Sequence, residues 1–149
     1  MANSYVEIYI HLILGVKCRK KLIKPNWENH LYKYLNTLTS KNGHKLIRIN
    51  GVEDHVHMLI SMSSQQPISN FVLALKKSSS NFISKNQFSN EKFYWQEGYG
   101  AFSVSAGNKG QVIKYIENQK EHHQKLSFIE EYEVLLNLLG IDYNRKYLP

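Results

Sequence analysis

The hydrophobic pattern of this chain changes period along its length, and the order of those changes limits the folds open to it. Tyr5 to Val16 (YVEIYIHLILGV) is apolar and β-branched, with Val6, Ile8 and Ile10 alternating, which predicts a first strand. From Asn26, read as an N-cap, Trp27, Leu31, Tyr34, Leu35 and Leu38 recur at helical spacing until Asn42-Gly43 supplies a stop. His44 to Asn50 and His55 to Met62 return to strand character, with Asn50-Gly51 as the turn signal in a loop somewhat longer than two residues; they are expected to pair antiparallel.

Ser69 is read as the cap of a second helix carrying Phe71, Val72, Leu75, Phe82 and Ile83 on one side, interrupted by the polar run Ser78 to Asn81. Lys76 and Lys77 fall on the face opposite. Tyr99 to Ser105 predicts a short strand, and Gly110 to His123 a third helix with Val112 and Ile116 apolar at i and i+4. Ser127 with Glu130 makes a capping box for a fourth helix through Ile129, Tyr132, Leu135, Leu136 and Leu139, ended by Gly140. Strand, helix, strand, strand, helix, strand, helix, helix predicts an α+β fold, with helices packed on an antiparallel sheet of about four strands.

The 149 residues fit a single domain, 1–149, and a 42% apolar share suits a packed core. Lys and Arg number 19 against 12 Asp and Glu, giving a formal charge of +7. Such a surplus favours polyanions. The longest apolar run, Ile8 to Val16, is interrupted by His11 and is too short to span a bilayer, so a membrane partner is not expected. Met1-Ala2-Asn3-Ser4 lacks the basic region of a signal peptide, and the single Cys18 cannot form an internal disulfide; both suit a cytoplasmic location. The basic cluster Lys17, Arg19, Lys20, Lys21 and Lys24 is either a solvated loop or a phosphate-contacting one. With Lys76 and Lys77, its first four members are the candidate DNA contacts. Phe93, Tyr94 and Trp95 could stack on unpaired bases, or serve as core or a dimer contact.

His55-Val56-His57 puts two imidazoles on one side of a strand, roughly 6.6 Å apart along it, while Val56, Met58 and Ile60 point to the other face. The pair could share a metal, with Glu53 and Asp54 as ligands or supports, or could simply be surface residues. Tyr115 and Gln119 stand at i and i+4, about 6 Å apart on one helix face, and His122 extends the stripe. A phenol beside an amide oxygen could serve phosphoryl transfer, the first as nucleophile and the second as metal ligand. By spacing alone, Tyr115 could equally pack as core, with Gln119 and Lys120 solvated. His122-His123 reads as a solvated pair near a helix C-terminus, where positive charge suits the dipole.

Three phrases occur together: Asp54-His55-Val56-His57-Met58-Leu59-Ile60, Gly98-Tyr99-Gly100-Ala101-Phe102-Ser103-Val104-Ser105, and Tyr115 through His123. In this order they resemble the single-tyrosine HUH transposases of small bacterial insertion sequences, whose relatives include REP-associated tyrosine transposases. The segment His11 to Lys21 and the ending from Gly140 to Leu148 share the resemblance. It implies a ferredoxin-like HUH endonuclease architecture, with His55, His57 and Gln119 holding Mg²⁺ or Mn²⁺ and Tyr115 as nucleophile. It further implies single-stranded DNA with hairpin ends as substrate and a 5′-phosphotyrosine with a free 3′-hydroxyl as intermediate. A homodimer is also implied, in which the tyrosine helix of one subunit serves the His pair of the other; the glycines of the Ser105 to Gly110 loop would permit such a displacement. The alternatives are a non-catalytic or domesticated nucleic-acid-binding module and a metal-dependent phosphoesterase that uses water.

Overall fold

The structure, a computed structural model, describes residues 4–149; the Met1 to Asn3 part of the leader reading lies outside them. Four strands form one antiparallel sheet: β1 (Tyr9–Gly15), β2 (Lys45–Val52), β3 (His55–Ser61) and β4 (Gly100–Val104), in the order β2-β3-β1-β4. Helices α1 (Glu28–Lys41) and α2 (Ile68–Lys85) complete a βαββαβ unit, the ferredoxin-like arrangement. Three further helices follow: α3 (Lys109–Glu117), α4 (Gln119–His122) and α5 (Phe128–Leu138). Among the described residues, no helix is long and apolar enough to cross a membrane.

Strand alternation sends Leu12 and Leu14 of β1, and Val56, Met58 and Ile60 of β3, into a core with Leu31 and Leu35 of α1 and Phe71 and Leu75 of α2. The opposite face, with His11, Ile13, His55, His57 and Phe102, is covered as well. There Ile13 and Phe102 pack with Phe128, Tyr132 and Leu136 of α5. Strands buried on both sides explain the continuous apolar run of β1. They also mean that the imidazoles of β3 lie inside the protein.

Several local expectations shift. β1 begins at Tyr9 rather than Tyr5, because its ladder ends where both neighbours end, at Ser61 and Val104; Val6 and Ile8 lie exposed outside it. Asn26 does not cap α1, whose N-cap is Trp27 without a side-chain bond. Nor does Ser69 cap α2: Pro67 precedes the helix, and its fixed φ sets the entry. The β2–β3 turn is the two-residue Glu53-Asp54, not Asn50-Gly51. Gly51 lies within β2, where a Cβ would come 2.2 Å from the His55 carbonyl oxygen, so close backbone approach rather than a turn requires this glycine.

α2 continues through Ser78 to Asn81, as Ser79 bonds back to the Leu75 carbonyl and accepts from Trp95 Nε1 at 2.9 Å. The third helix divides at Asn118, whose φ of −95° and ψ of 13° leave the helical range. The capping box of α5 forms as expected from Ser127 and Glu130. Gly43 and Gly140 take positive φ just past α1 and α5.

Candidate active site

β3 turns His55 and His57 to the same side, with ring centroids 5.0 Å apart and both side chains fully buried. Each ring is fixed from behind. His55 Nδ1 donates to Asp54 Oδ1 at 2.7 Å, and His57 Nδ1 shares a proton with His11 Nε2 at 2.7 Å. A carboxylate on Nδ1 holds the tautomer whose Nε2 carries a lone pair, the usual support of a ligating histidine. Both Nε2 atoms therefore face one interior point. Asp54 matches the support expected from its place beside His55; His11, paired across β1 and β3, gave no such signal.

α3 and α4 bring Tyr115 and Gln119 to that point despite the break at Asn118, because i to i−4 bonds resume on either side of it (Asn118 N to Lys114 O, His122 N to Asn118 O). The Gln119 amide oxygen is 3.2 Å from His55 Nε2, and its amide nitrogen donates to Glu131 at 2.9 Å. Gln119 is fully buried, not solvated. Tyr115 is half-buried, its ring 5.8 Å from that of His57, and its hydroxyl donates to Glu131. The core position in α3 is taken by Ile116 instead. His122 and His123 are not a solvated pair either: the end of α4 packs inward, so His123 lies 4.5 Å from the His55 ring and His122 5.3 Å from the Tyr115 ring.

Glu131 of α5 is, with His123 and His11, among the residues that sequence reasoning missed. Its Oε1 lies 3.1 Å from His55 Nε2, 3.0 Å from His57 Nε2 and 3.1 Å from His123 Nε2, and Oε2 faces Tyr115 and Gln119. A signal was present: Phe128, Glu131, Tyr132, Leu135 and Leu136 follow helical spacing, so Glu131 is a carboxylate set into an apolar stripe. Burying an ionised carboxylate there is costly without partners.

Electrostatics follow from burial and these contacts. Burial alone would raise the Glu131 carboxyl, yet His123, His55 and His57 hold it far below the ordinary carboxylate range. Burial pushes His57 down to about 4 against the pull of Glu131, and burial together with His57 pushes His11 down to about 3. On His55, burial is outweighed by Asp54 and Glu131, which raise it. Burial and then the Glu131 charge raise the Tyr115 phenol, so a cation that offset Glu131 would favour its ionisation.

The donors suit a divalent ion. One ligand atom from each of His55, His57, His123 and Glu131 lies within 4.8 Å of all the others, and the Gln119 oxygen adjoins them. His123 Nε2 is buried and makes no well-aligned hydrogen bond although Glu131 Oε1 lies 3.1 Å away, so its position suits a ligand atom.

The basic candidates divide by location. Lys17, Arg19, Lys20 and Lys21 are exposed around a 3₁₀ turn at Lys17–Arg19; Lys20 pairs with Glu91 at 2.6 Å, and Arg19 donates to the Pro149 carbonyl. Lys21 lines a cleft of about 340 Å³ with Asp54, Lys120, His123 and Phe128, beside the His face. Lys76 is partly buried and donates to the carbonyls of Gln96 and Gly98, whereas Lys77 is exposed. Of the three aromatics, Phe93 and Trp95 join the core and Tyr94 stays exposed.

Comparisons with known proteins bear on the family and the fold. The family model described as "Transposase IS200 like" matches residues 4–119. The ISDra2 transposase TnpA of Deinococcus radiodurans is 33% identical over 126 residues, covering 80% of this chain and 89% of that protein. The crystal structure of a Deinococcus radiodurans protein designated a transposase superposes with a TM-score of 0.61 at 28% identity, over 80% of this chain and 96% of that one. A REP-associated tyrosine transposase bound to a REP hairpin superposes with a TM-score of 0.63, over 83% of this chain and 73% of the other. Its identity of 10% speaks for a shared fold alone.

Proposed function

The chain belongs to the IS200-like transposases, the single-tyrosine HUH family of small bacterial insertion sequences, and from that membership we propose a covalent mechanism of DNA cleavage and rejoining. Tyr115 attacks a phosphodiester of single-stranded DNA while His55, His57 and Gln119 hold Mg²⁺ or Mn²⁺. The observation that carries this reading is the convergence of the Tyr115 hydroxyl, both histidine Nε2 atoms and the Gln119 amide oxygen on one buried point.

The Tyr115 oxygen forms a bond to phosphorus and the bond from phosphorus to the 3′-oxygen breaks, leaving a 5′-phosphotyrosine. Glu131 accepts a hydrogen bond from the Tyr115 hydroxyl and so orients it; as the bond to phosphorus forms the phenolic proton passes to solvent, and the departing 3′-oxygen takes a proton from water. A bound divalent ion would neutralise the phosphate and stabilise the leaving oxygen. His11 and Asp54 keep the two imidazoles aimed, and Phe128 with Tyr132 excludes water from beneath them. A phosphotyrosine ester retains the energy of the phosphodiester, so a second 3′-hydroxyl can displace Tyr115 without ATP.

The proposed substrate is single-stranded DNA bearing a hairpin, as membership of the single-tyrosine HUH family implies. Phosphates would be met by Lys17, Arg19, Lys20 and Lys21, with Lys76 and Lys77 as further candidates. Residues 1–149 would form one catalytic domain acting as a homodimer; exposed Val134, Leu138 and Leu139 along α5 supply apolar surface suited to such a contact. In the test, protein, Mn²⁺ and a hairpin with single-stranded flanks yield a denaturation-resistant adduct, which Tyr115→Phe abolishes. Cleavage without an adduct would instead indicate water as nucleophile, and binding without cleavage a non-catalytic module.

A further inference from the structure

We infer that Glu131 and His123 are ligands of the same cation as His55 and His57, making the site a three-imidazole, one-carboxylate cage adjoined by Gln119. Both residues lie beyond the 4–119 stretch that the family model matches. The inference rests on the metal reading above and extends its ligand set.

Proton placement points to a shared cation. His123 Nδ1 lies 2.7 Å from the Leu126 carbonyl oxygen, which only accepts, so Nδ1 carries the hydrogen. The same holds for His55 Nδ1 against Asp54. In the neutral rings both Nε2 atoms then present lone pairs, and both face Glu131 Oε1, itself an acceptor. Gln119 Oε1 adds another acceptor toward His55 Nε2. Acceptors facing acceptors at 3.0–3.2 Å repel unless something positive lies among them. A divalent cation serves all the lone pairs at once. His57 can join it, because its Nδ1 can donate to His11 Nε2 and leave its own Nε2 free.

Three nitrogens and a carboxylate also bear on the choice of ion. Imidazole-rich sets suit Mn²⁺, Zn²⁺ and their neighbours, whereas Mg²⁺ takes oxygen ligands and keeps its waters. Mn²⁺ therefore binds more tightly here than Mg²⁺. The second oxygen of Glu131 holds the Tyr115 hydroxyl and the Gln119 amide, so one carboxylate ties the cation to the nucleophile.

The test measures Mn²⁺ binding to the full chain by calorimetry, with the metal-induced rise in Tm as a second readout. Glu131→Gln keeps the shape and removes the anionic donor; His123→Ala removes a nitrogen from another element. Each is expected to weaken Mn²⁺ binding at least about tenfold and to shrink the rise in Tm. Glu131→Asp, which keeps a carboxylate, should retain part of the binding. Wild-type affinity in both Glu131→Gln and His123→Ala, with binding abolished in His57→Ala, would overturn this inference and leave the His-pair reading intact. Tighter binding in Glu131→Gln would overturn it too, by making the carboxylate a competitor. Undiminished binding in His57→Ala would overturn the metal reading itself. If Glu131→Gln does not fold, His123→Ala and Glu131→Asp decide between the same outcomes.

Discussion

Replacing Phe128 by alanine tests whether α5 closes over the histidine face. Its ring is 2% exposed, stacks on His55 with centroids 3.9 Å apart and planes 3° from parallel, and meets Tyr132 edge-on at 5.7 Å. It also fills the space above Gly15, where an added Cβ would come 2.8 Å from it. A Phe→Ala change in a packed core costs about 3–5 kcal/mol, covering the forgone transfer energy and the cavity left behind. At about 2–4 °C per kcal/mol for a domain of this size, Tm should fall on the order of 10 °C. Urea unfolding of metal-free protein gives the free energy, and Leu138→Ala, on the same helix but 78% exposed, is the control expected to change stability by less than about 0.5 kcal/mol. A destabilisation below about 1 kcal/mol for Phe128→Ala would refute the packing of α5 on β3, and with it the placement of Glu131.

Gly51→Ala should destabilise strongly, by several kcal/mol, because the new Cβ has the backbone of His55 and Val56 to push against; wild-type stability by thermal melting would show that the hairpin closes differently. Metal-free protein should lose stability as pH falls from about 6.5 toward 4.5. His57 at about 4 and His11 at about 3 stay neutral when folded but take up protons near 6.5 when unfolded, so the slope is about 1.4–2.7 kcal/mol per pH unit. His55, raised instead, acts above that window, and Glu131, lowered from 4.5, acts below it. Urea midpoints that stay flat from pH 7 to 4.5 would contradict neutral burial of the pair. Neutralising Lys17, Arg19, Lys20 and Lys21 together should weaken hairpin binding and reduce the salt slope by about 0.7 for each phosphate no longer neutralised. An unchanged slope in a filter-binding titration would place the DNA path elsewhere.

The period changes in the sequence carried the element order and the antiparallel sheet, because long apolar stripes bind each segment to one kind of packing. Turns and caps were less legible. Asn50-Gly51 has turn chemistry, yet its glycine serves close strand approach and its asparagine donates to the carbonyls of Ile116 and Glu117. Ser127 caps as expected because Glu130 reciprocates, whereas Asn26 and Ser69 have no such partner.

His55, His57, Tyr115 and Gln119 could be named in advance because the resemblance joins them. The structure brings their side chains together, although Gln119 and Tyr115 occupy separate helices. Glu131 and His123 stayed hidden for a physical reason. Each is an ordinary polar residue along its own segment, and only the folding of α4 and α5 back over β3 aims it at the histidines. His11 likewise reads as an interruption of a strand until its register against β3 sets it beside His57.

The proposed mechanism stands on a covalent bond between Tyr115 and DNA. Incubating the protein with Mn²⁺ and a hairpin oligonucleotide, digesting the adduct and mapping the nucleotide-bearing peptide by mass spectrometry addresses that bond directly. The expected result is a 5′-phosphate ester on Tyr115 and no modified peptide from Tyr115→Phe. A nucleotide attached to any other residue, or an adduct that persists in Tyr115→Phe, would contradict it.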